Sequence, residues 1–184
     1  YLQTVGSFPR SIEVIDTQGA LVYQAADIPL EENIPIEGVR LGRRSLQWHA
    51  GRPASLVWVE ALDGGDPKNK VPHRDQIKAL DAPFRDAPRD LIKVEHRFSG
   101  LSYFADPNMV LTSEIDRDRR WVRSLLYDLS KPNDAPKVIV DRSSRDRYGD
   151  PGRMLAKADT TGYPVIQQSG DWVWLVGQGA TPEG

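Results

Sequence analysis

Two stretches of this chain are versions of one β-hairpin, and that duplication limits the possible folds more than any other feature. Residues 44–60 read RSLQWHAGRPASLVWVE and residues 99–114 read SGLSYFADPNMVLTSE. Aligned back from Glu60 and Glu114, with one gap opposite Gly51, Pro53 falls on Pro107, Ala50 on Ala105, Trp48 on Tyr103 and Leu46 on Leu101. In each copy an apolar-aromatic run leads into a turn of small, Pro and polar residues. A second run that reads as a strand follows, at 55–60 and at 109–114. The copies lie 54 residues apart. Repeats of roughly 40–50 residues made of four short strands are typical of propeller blades, whose small sheets bury their faces only by stacking on one another.

The remaining text agrees with this pattern. The 184 residues include 15 Gly and 14 Pro at close intervals, which favours many short strands over long helices. The sequence therefore predicts an all-β partial β-propeller with about three blades of four-stranded antiparallel sheet. As a single segment over 1–184, it holds the end of one blade at about 1–30, a second blade at 40–97, a third at 98–142 and the start of a fourth at 150–180. A closed propeller needs roughly four to eight blades, so the ring is incomplete.

In order, residues 1–5 read as the tail of a strand, and residues 11–15 alternate before the turn Asp16-Thr17-Gln18-Gly19. Residues 27–43, with two Ile-Pro pairs, read as a crossing loop. Strands are expected at 46–48, 54–61, 76–80 and 90–95, then at 98–104, 109–115, 121–129 and 137–140, and finally at 153–157, 163–167 and 172–176. Trp48, Trp58, Tyr103, Trp121, Trp172 and Trp174 read as packing between neighbouring blades.

A formal charge of −2 leaves no basic excess to hold a phosphate backbone, which argues against nucleic acid. No run approaches the ~18 apolar residues of a membrane span. The opening YLQTVGSFPR has no signal-peptide layout, and the compartment is left open. The absence of cysteine excludes disulfides, thiolate metal sites and Cys nucleophiles.

Several separated strings carry a resemblance: residues 8–16 (FPRSIEVID), 33–36 (NIPI), 42–48, 54–66 (ASLVWVEALDGGD), 146–152 (DRYGDPG) and 179–184 (GATPEG). Together they resemble the amino-terminal half of glutamyl endopeptidases, which belong to the prolyl-oligopeptidase clan of serine peptidases. The resemblance implies a parent enzyme with a β-propeller followed by an α/β-hydrolase domain carrying a Ser-Asp-His triad. The propeller would then cap the active site and admit only short peptides. The expected partners are that hydrolase domain and those peptides, with no cofactor. The G-x-S-x-G elbow such a hydrolase needs does not occur here; FSG at 98–100 and QSG at 168–170 lack the preceding glycine. No catalytic residue is expected in this chain.

Arg40, Arg43 and Arg44 stand just before the predicted innermost strand of the second blade, so they are candidates to contact substrate. A family that cleaves after glutamate needs positive charge near the acidic side chain, and guanidinium pairs bidentately with carboxylate. The bland alternative is a solvated or cross-blade salt-bridged arginine. His49, His73 and His96 lack metal-ligand spacing. His73-Arg74-Asp75 matches a kinase tripeptide without the rest of the kinase set. Asp63 and Asp66 flank glycines as turn residues do, rather than forming a calcium loop. No metal site is expected.

The sequence thus points to a non-catalytic propeller segment that forms part of a substrate-gating chamber wall. The alternative is a stand-alone β-repeat module binding partners through open edge strands. Two broken faces also predict that the isolated chain forms homo-oligomers.

Overall fold

The computed structural model describes residues 7–177 and 179, and no α-helix occurs among them. The expected strand tail at 1–5 and most of the GATPEG string lie outside the described residues. Strands β1 (Arg10–Ile15) and β2 (Leu21–Ile28) form an antiparallel hairpin. Its turn is the Asp-started one read from the sequence: the Asp16 carboxylate accepts from the Gln18 amide at 2.9 Å and the Ala20 amide at 2.8 Å.

Two four-stranded antiparallel meanders follow in chain order. The first holds β3 (Arg44–Trp48), β4 (Ser55–Ala61), β5 (Asp75–Asp81) and β6 (Arg89–Val94). The second holds β7 (Arg97–Tyr103), β8 (Met109–Asp116), β9 (Trp121–Asp128) and β10 (Lys137–Ser143). The repeated hairpin opens each meander, with the same register beside its turn. Trp48 pairs with Leu56 as Tyr103 pairs with Val110, and Gln47 pairs with Val57 as Ser102 pairs with Leu111. Each opening strand also breaks register at its start, between Arg44 and Gln47 and between Phe98 and Gly100.

The last part departs from the single sheet expected at 150–180. Its strands are only two or three residues long because Gly162, Gly170 and Pro164 interrupt it, and proline has no N–H for a ladder. Strands β12 (Ala156–Ala158) and β13 (Pro164–Ile166) join the β7 edge through one parallel pairing, Val165 with Tyr103. Strand β11 (Arg153–Met154) pairs with β16 (Leu175–Val176), and β14 (Gln168–Ser169) pairs with β15 (Trp172–Val173).

Apolar faces meet in series. Ile12, Val14, Tyr23 and Ala25 of the first hairpin pack on Leu56, Trp58 and Leu80 of the first meander. The opposite face of that meander, with Val57, Val59, Ile77, Ile92 and Val94, packs on Phe98, Leu101, Tyr103 and Val110 of the second. Leu111, Leu126 and Ile139 then meet Ile166, Met154 and Val173 of the last part. Each fully buried Val or Ile at these contacts contributes about 1.5–3 kcal/mol.

The six aromatic residues read as inter-sheet packing divide. Trp58 and Tyr103 are buried, and Trp48 and Trp121 are half-buried. Trp172 and Trp174 correct the expectation: they are 78% and 59% exposed, because no further layer covers their face among the described residues.

Buried ion pairs tie the two meanders together at one end. Asp75, at the start of β5, is fully buried and accepts from Arg44, from Arg97 at 2.7 Å and from the Phe98 amide at 2.8 Å. Arg97 also pairs with buried Asp63, which accepts from Arg74 at 2.9 Å. Buried Glu114 accepts from the His96 amide at 2.9 Å and from Arg123, which reaches Glu95 at 2.7 Å. A glycine contact supports the same end. Gly65 has φ +76°, and a Cβ there would lie 2.2 Å from the Val39 carbonyl oxygen, so only glycine lets this loop close on the crossing loop.

Candidate functional site

The three arginines singled out from the sequence all have internal partners. Arg40 reaches the Leu41 and Arg43 carbonyls and lies 3.7 Å from the Glu31 carboxylate. Arg43 donates to the Tyr23 hydroxyl at 2.5 Å and the Ala25 carbonyl at 2.8 Å, and its guanidinium stacks 4.2 Å from the Trp58 ring centroid. Arg44 pairs with Asp75. Burial lowers the pKa of Arg40 and of Arg44, against the opposing pull of Glu31 and of Asp75. These side chains fasten the crossing loop and first hairpin to the first meander. Each would have to release an internal partner to reach a ligand.

The aspartates are used in the same way. Asp63 accepts from the Gly65 amide at 2.9 Å as a turn residue does, and Arg74 and Arg97 occupy its second oxygen. Asp66 accepts from the Lys68 amide at 2.9 Å. Among the described residues no group of three His, Asp or Glu gathers into a metal-binding cluster.

A different place has the features of a ligand site. A cleft of about 400 Å³ lies among the ends of the repeated hairpins and the last part of the chain. Trp48, Leu101, Tyr163 and Met154 form apolar walls, and Gln47 and Ser102 add side-chain donors. Arg153 is the only charged residue lining it.

The backbone explains the placing of these groups. Gln47 and Ser102 hold the same position in the two copies, one residue before the aromatic. Gly152 has φ +83°, and a Cβ there would sit 2.1 Å from the Val176 carbonyl oxygen, so glycine lets β11 close on β16 and carries Arg153 to the rim. Tyr103, 5% exposed, lines the cleft, and its hydroxyl is buried without a hydrogen-bond partner. Burial raises the pKa of that phenol, which keeps it a protonated donor.

The chain was compared with known proteins. Over its full length it is 36% identical to "Probable glutamyl endopeptidase, chloroplastic" of Oryza sativa subsp. japonica and 36% identical to the protein of the same description in Arabidopsis thaliana. The chain is a glutamyl endopeptidase-like segment. It spans about one fifth (20%) of the length of either relative. No protein-family profile matches it, and no solved structure matches it.

Within this glutamyl endopeptidase-like segment two of the three histidines have neighbours that can be named. His49 is buried against the Tyr103 ring, with centroids 4.5 Å apart, and donates from Nδ1 to the Ala50 carbonyl at 2.6 Å. Burial lowers its pKa, so the neutral ring is favoured. His96 lies 3.9 Å from Glu95 and 4.0 Å from Asp116. Among the described residues neither His49 nor His96 has a serine hydroxyl as a hydrogen-bond partner, the pairing that activation of a serine nucleophile uses. Sequence reasoning passed over Arg153 because it stands at the head of a weak strand. The usable signal was the pairing of Gln47 with Ser102 in the duplicated hairpin.

Proposed function

We propose that this chain is a non-catalytic partial β-propeller of a glutamyl endopeptidase-like serine peptidase, and that in the whole protein it forms part of a wall gating access to the substrate chamber. The observation that carries this reading is the serial stacking of hairpin, meander, meander and last part, in which each meander buries both faces only against its neighbours. The matching register of the two opening hairpins beside their turns supports a repeated blade. The resemblance over one fifth of the relatives' length supports a segment of a larger enzyme. No G-x-S-x-G string occurs in the sequence, so the reactive serine belongs to another part of that enzyme. The test is hydrolysis of Glu-containing peptides by the purified chain and by the whole protein. Activity is expected only in the whole protein. Hydrolysis by the chain alone that a serine-directed inhibitor abolishes would refute the assignment.

Apolar residues on the two end layers favour association as a second property. Ile15 and Leu21 on the first hairpin are 59% and 60% exposed, and Trp172 and Trp174 are exposed at the other end. The isolated chain is therefore expected to self-associate, and a monodisperse monomer in light scattering at high concentration would count against this.

A further inference from the structure

A second groove, of about 920 Å³, opens between the last strands of the two meanders. One wall of it is β6, and every residue from 89 to 93 lines it. Side chains alternate across a strand, so a groove touched by such a succession runs along the strand's edge rather than over one face. That edge is open. β6 pairs only with β5, and no strand lies on its other side among the described residues. An unpaired edge presents a row of N–H and C=O groups to which another strand can pair. At ~3.3 Å per residue, the ladder suits a segment of similar length to the lining part of β6.

The facing wall is apolar. Leu125 and Tyr127 on one face of β9, Leu129 and Pro132 after it, and Val138 on β10 supply it. The charges around the rim are engaged within the fold: Arg89 with Asp81, Asp90 with Lys78, Arg123 with Glu95, Lys131 with Asp128 and Arg52 with Asn108. Lys93 and Asp134 remain, one of each sign. The rim thus offers a ligand no net charge to match, and burying an unmatched charge here would be costly. The Tyr127 hydroxyl makes no hydrogen bond among the described residues, and burial pushes its pKa up to about 12, which keeps it a protonated donor. A strand added to β6 would lie about 4.7–4.9 Å from it, between that strand and the apolar wall. A single extended segment suits this space, whereas the edge of another folded sheet would bring further strands against the wall. We propose that this groove takes an extended, uncharged segment of a partner protein, bound as an added strand on β6 with alternate apolar side chains against Leu125, Tyr127 and Val138. The partner is held by its backbone and its apolar spacing, and is not a substrate. This goes beyond the peptidase reading and does not depend on it.

The experiment uses the whole protein and an end-capped peptide of about seven residues that alternates valine and threonine. A twin N-methylated on two adjacent central residues keeps the side chains and blocks both edges of the strand. Binding is measured by calorimetry and located by amide hydrogen exchange. The parent peptide should bind saturably and slow exchange within residues 89–94. The methylated twin should bind at least about tenfold more weakly, the loss expected for two ladder hydrogen bonds. Val138→Glu, at a side chain 53% exposed on the facing wall, should weaken binding by a similar factor. Ile15→Glu, at 59% exposed on the first hairpin, should leave binding unchanged. Both positions are exposed, so circular dichroism should be the same for every variant. Equal binding of the two peptides, unaltered exchange within 89–94, or undiminished binding by Val138→Glu would overturn the proposal. Protection of 89–94 in the monomeric protein without any binding would assign the edge to the protein's own chain, and protection lost on dilution to monomer would assign it to a second copy. Either result would overturn the proposal. Competition between the probe and a glutamate-containing peptide undergoing hydrolysis would also overturn it, while leaving the peptidase reading intact.

Discussion

Replacing Asp75 with alanine should be among the most damaging single changes available in this chain. The carboxylate is fully buried and serves three donors: Arg44 and Arg97, whose side chains are 11% and 18% exposed, and the Phe98 amide at 2.8 Å. Removing one partner of a buried ion pair costs about 3–5 kcal/mol, because the remaining charges stay desolvated. An orphaned backbone N–H adds about 1–3 kcal/mol where water does not reach it. Two features temper these costs. Both guanidinium groups keep some contact with water, and Arg97 retains Asp63. A loss of about 3 kcal/mol is therefore expected. For a chain of this size that corresponds to a fall in Tm of about 6–12 °C. The comparison is Arg89→Ala, which removes an ion pair of 2.8 Å whose side chains are 49% and 51% exposed, and which should cost about 0–1 kcal/mol. Urea unfolding followed by tryptophan fluorescence measures both, with unchanged m-values showing that the unfolded state is not the source of the difference. If Asp75→Ala costs no more than Arg89→Ala, the reasoning that the carboxylate pins the two meanders is wrong.

Three further outcomes are expected. Trp58→Ala removes a fully buried ring and should cost about 3–5 kcal/mol, whereas Trp172→Ala, at 78% exposed, should change stability by at most about 0.5 kcal/mol in the same unfolding assay. Gly152→Ala places a Cβ 2.1 Å from the Val176 carbonyl oxygen at φ +83°, and should cost about 1–3 kcal/mol. The Leu155 amide, which donates to the Trp174 carbonyl at 2.8 Å, should then exchange its hydrogen faster. His49 has its pKa lowered by burial from 6.5, so the unfolded chain takes up a proton there before the folded chain does. Its contribution is present above pH 6.5 and is lost as pH falls toward the lowered folded value. Between pH 7 and 5, stability measured in urea should therefore fall more steeply in the wild type than in His49→Gln.

Local pattern carried most of the strand order. The duplicated hairpin predicted two meanders with matched registers because strand pairing there depends on near neighbours: Trp48 and Leu56, or Tyr103 and Val110, are joined by one short turn. The buried ion pairs were not legible. Arg44 and Asp75 are 31 residues apart, and Arg97 and Asp63 are 34 apart, so their meeting depends on how loops and sheets stack rather than on any spacing along a strand. For the same reason the sequence could offer Arg40, Arg43 and Arg44 only as candidates either for substrate or for a salt bridge, and the internal partner each has in the fold was not named. The exposed Trp172 and Trp174 show the converse. An aromatic strand marks a face suited to burial, and whether anything lies on it is decided outside the strand.

The two meanders are fastened unequally. At the end holding residues 95–97 they share a two-residue connection between β6 and β7, the Asp75–Arg97 and Glu95–Arg123 pairs, and the Glu114 contact with the His96 amide. At the far end no ion pair joins them among the described residues: Arg52 donates to Asn108 at 2.6 Å, and the His49 ring rests on Tyr103. The pair is therefore hinged along a spine at 95–97, and thermal motion should open it first at the hairpin tips, 49–55 and 104–109. Those tips border the cleft through Trp48, Ala50 and Tyr103. A breathing motion of the sheets would thus widen the cleft rim while the charged spine stays closed.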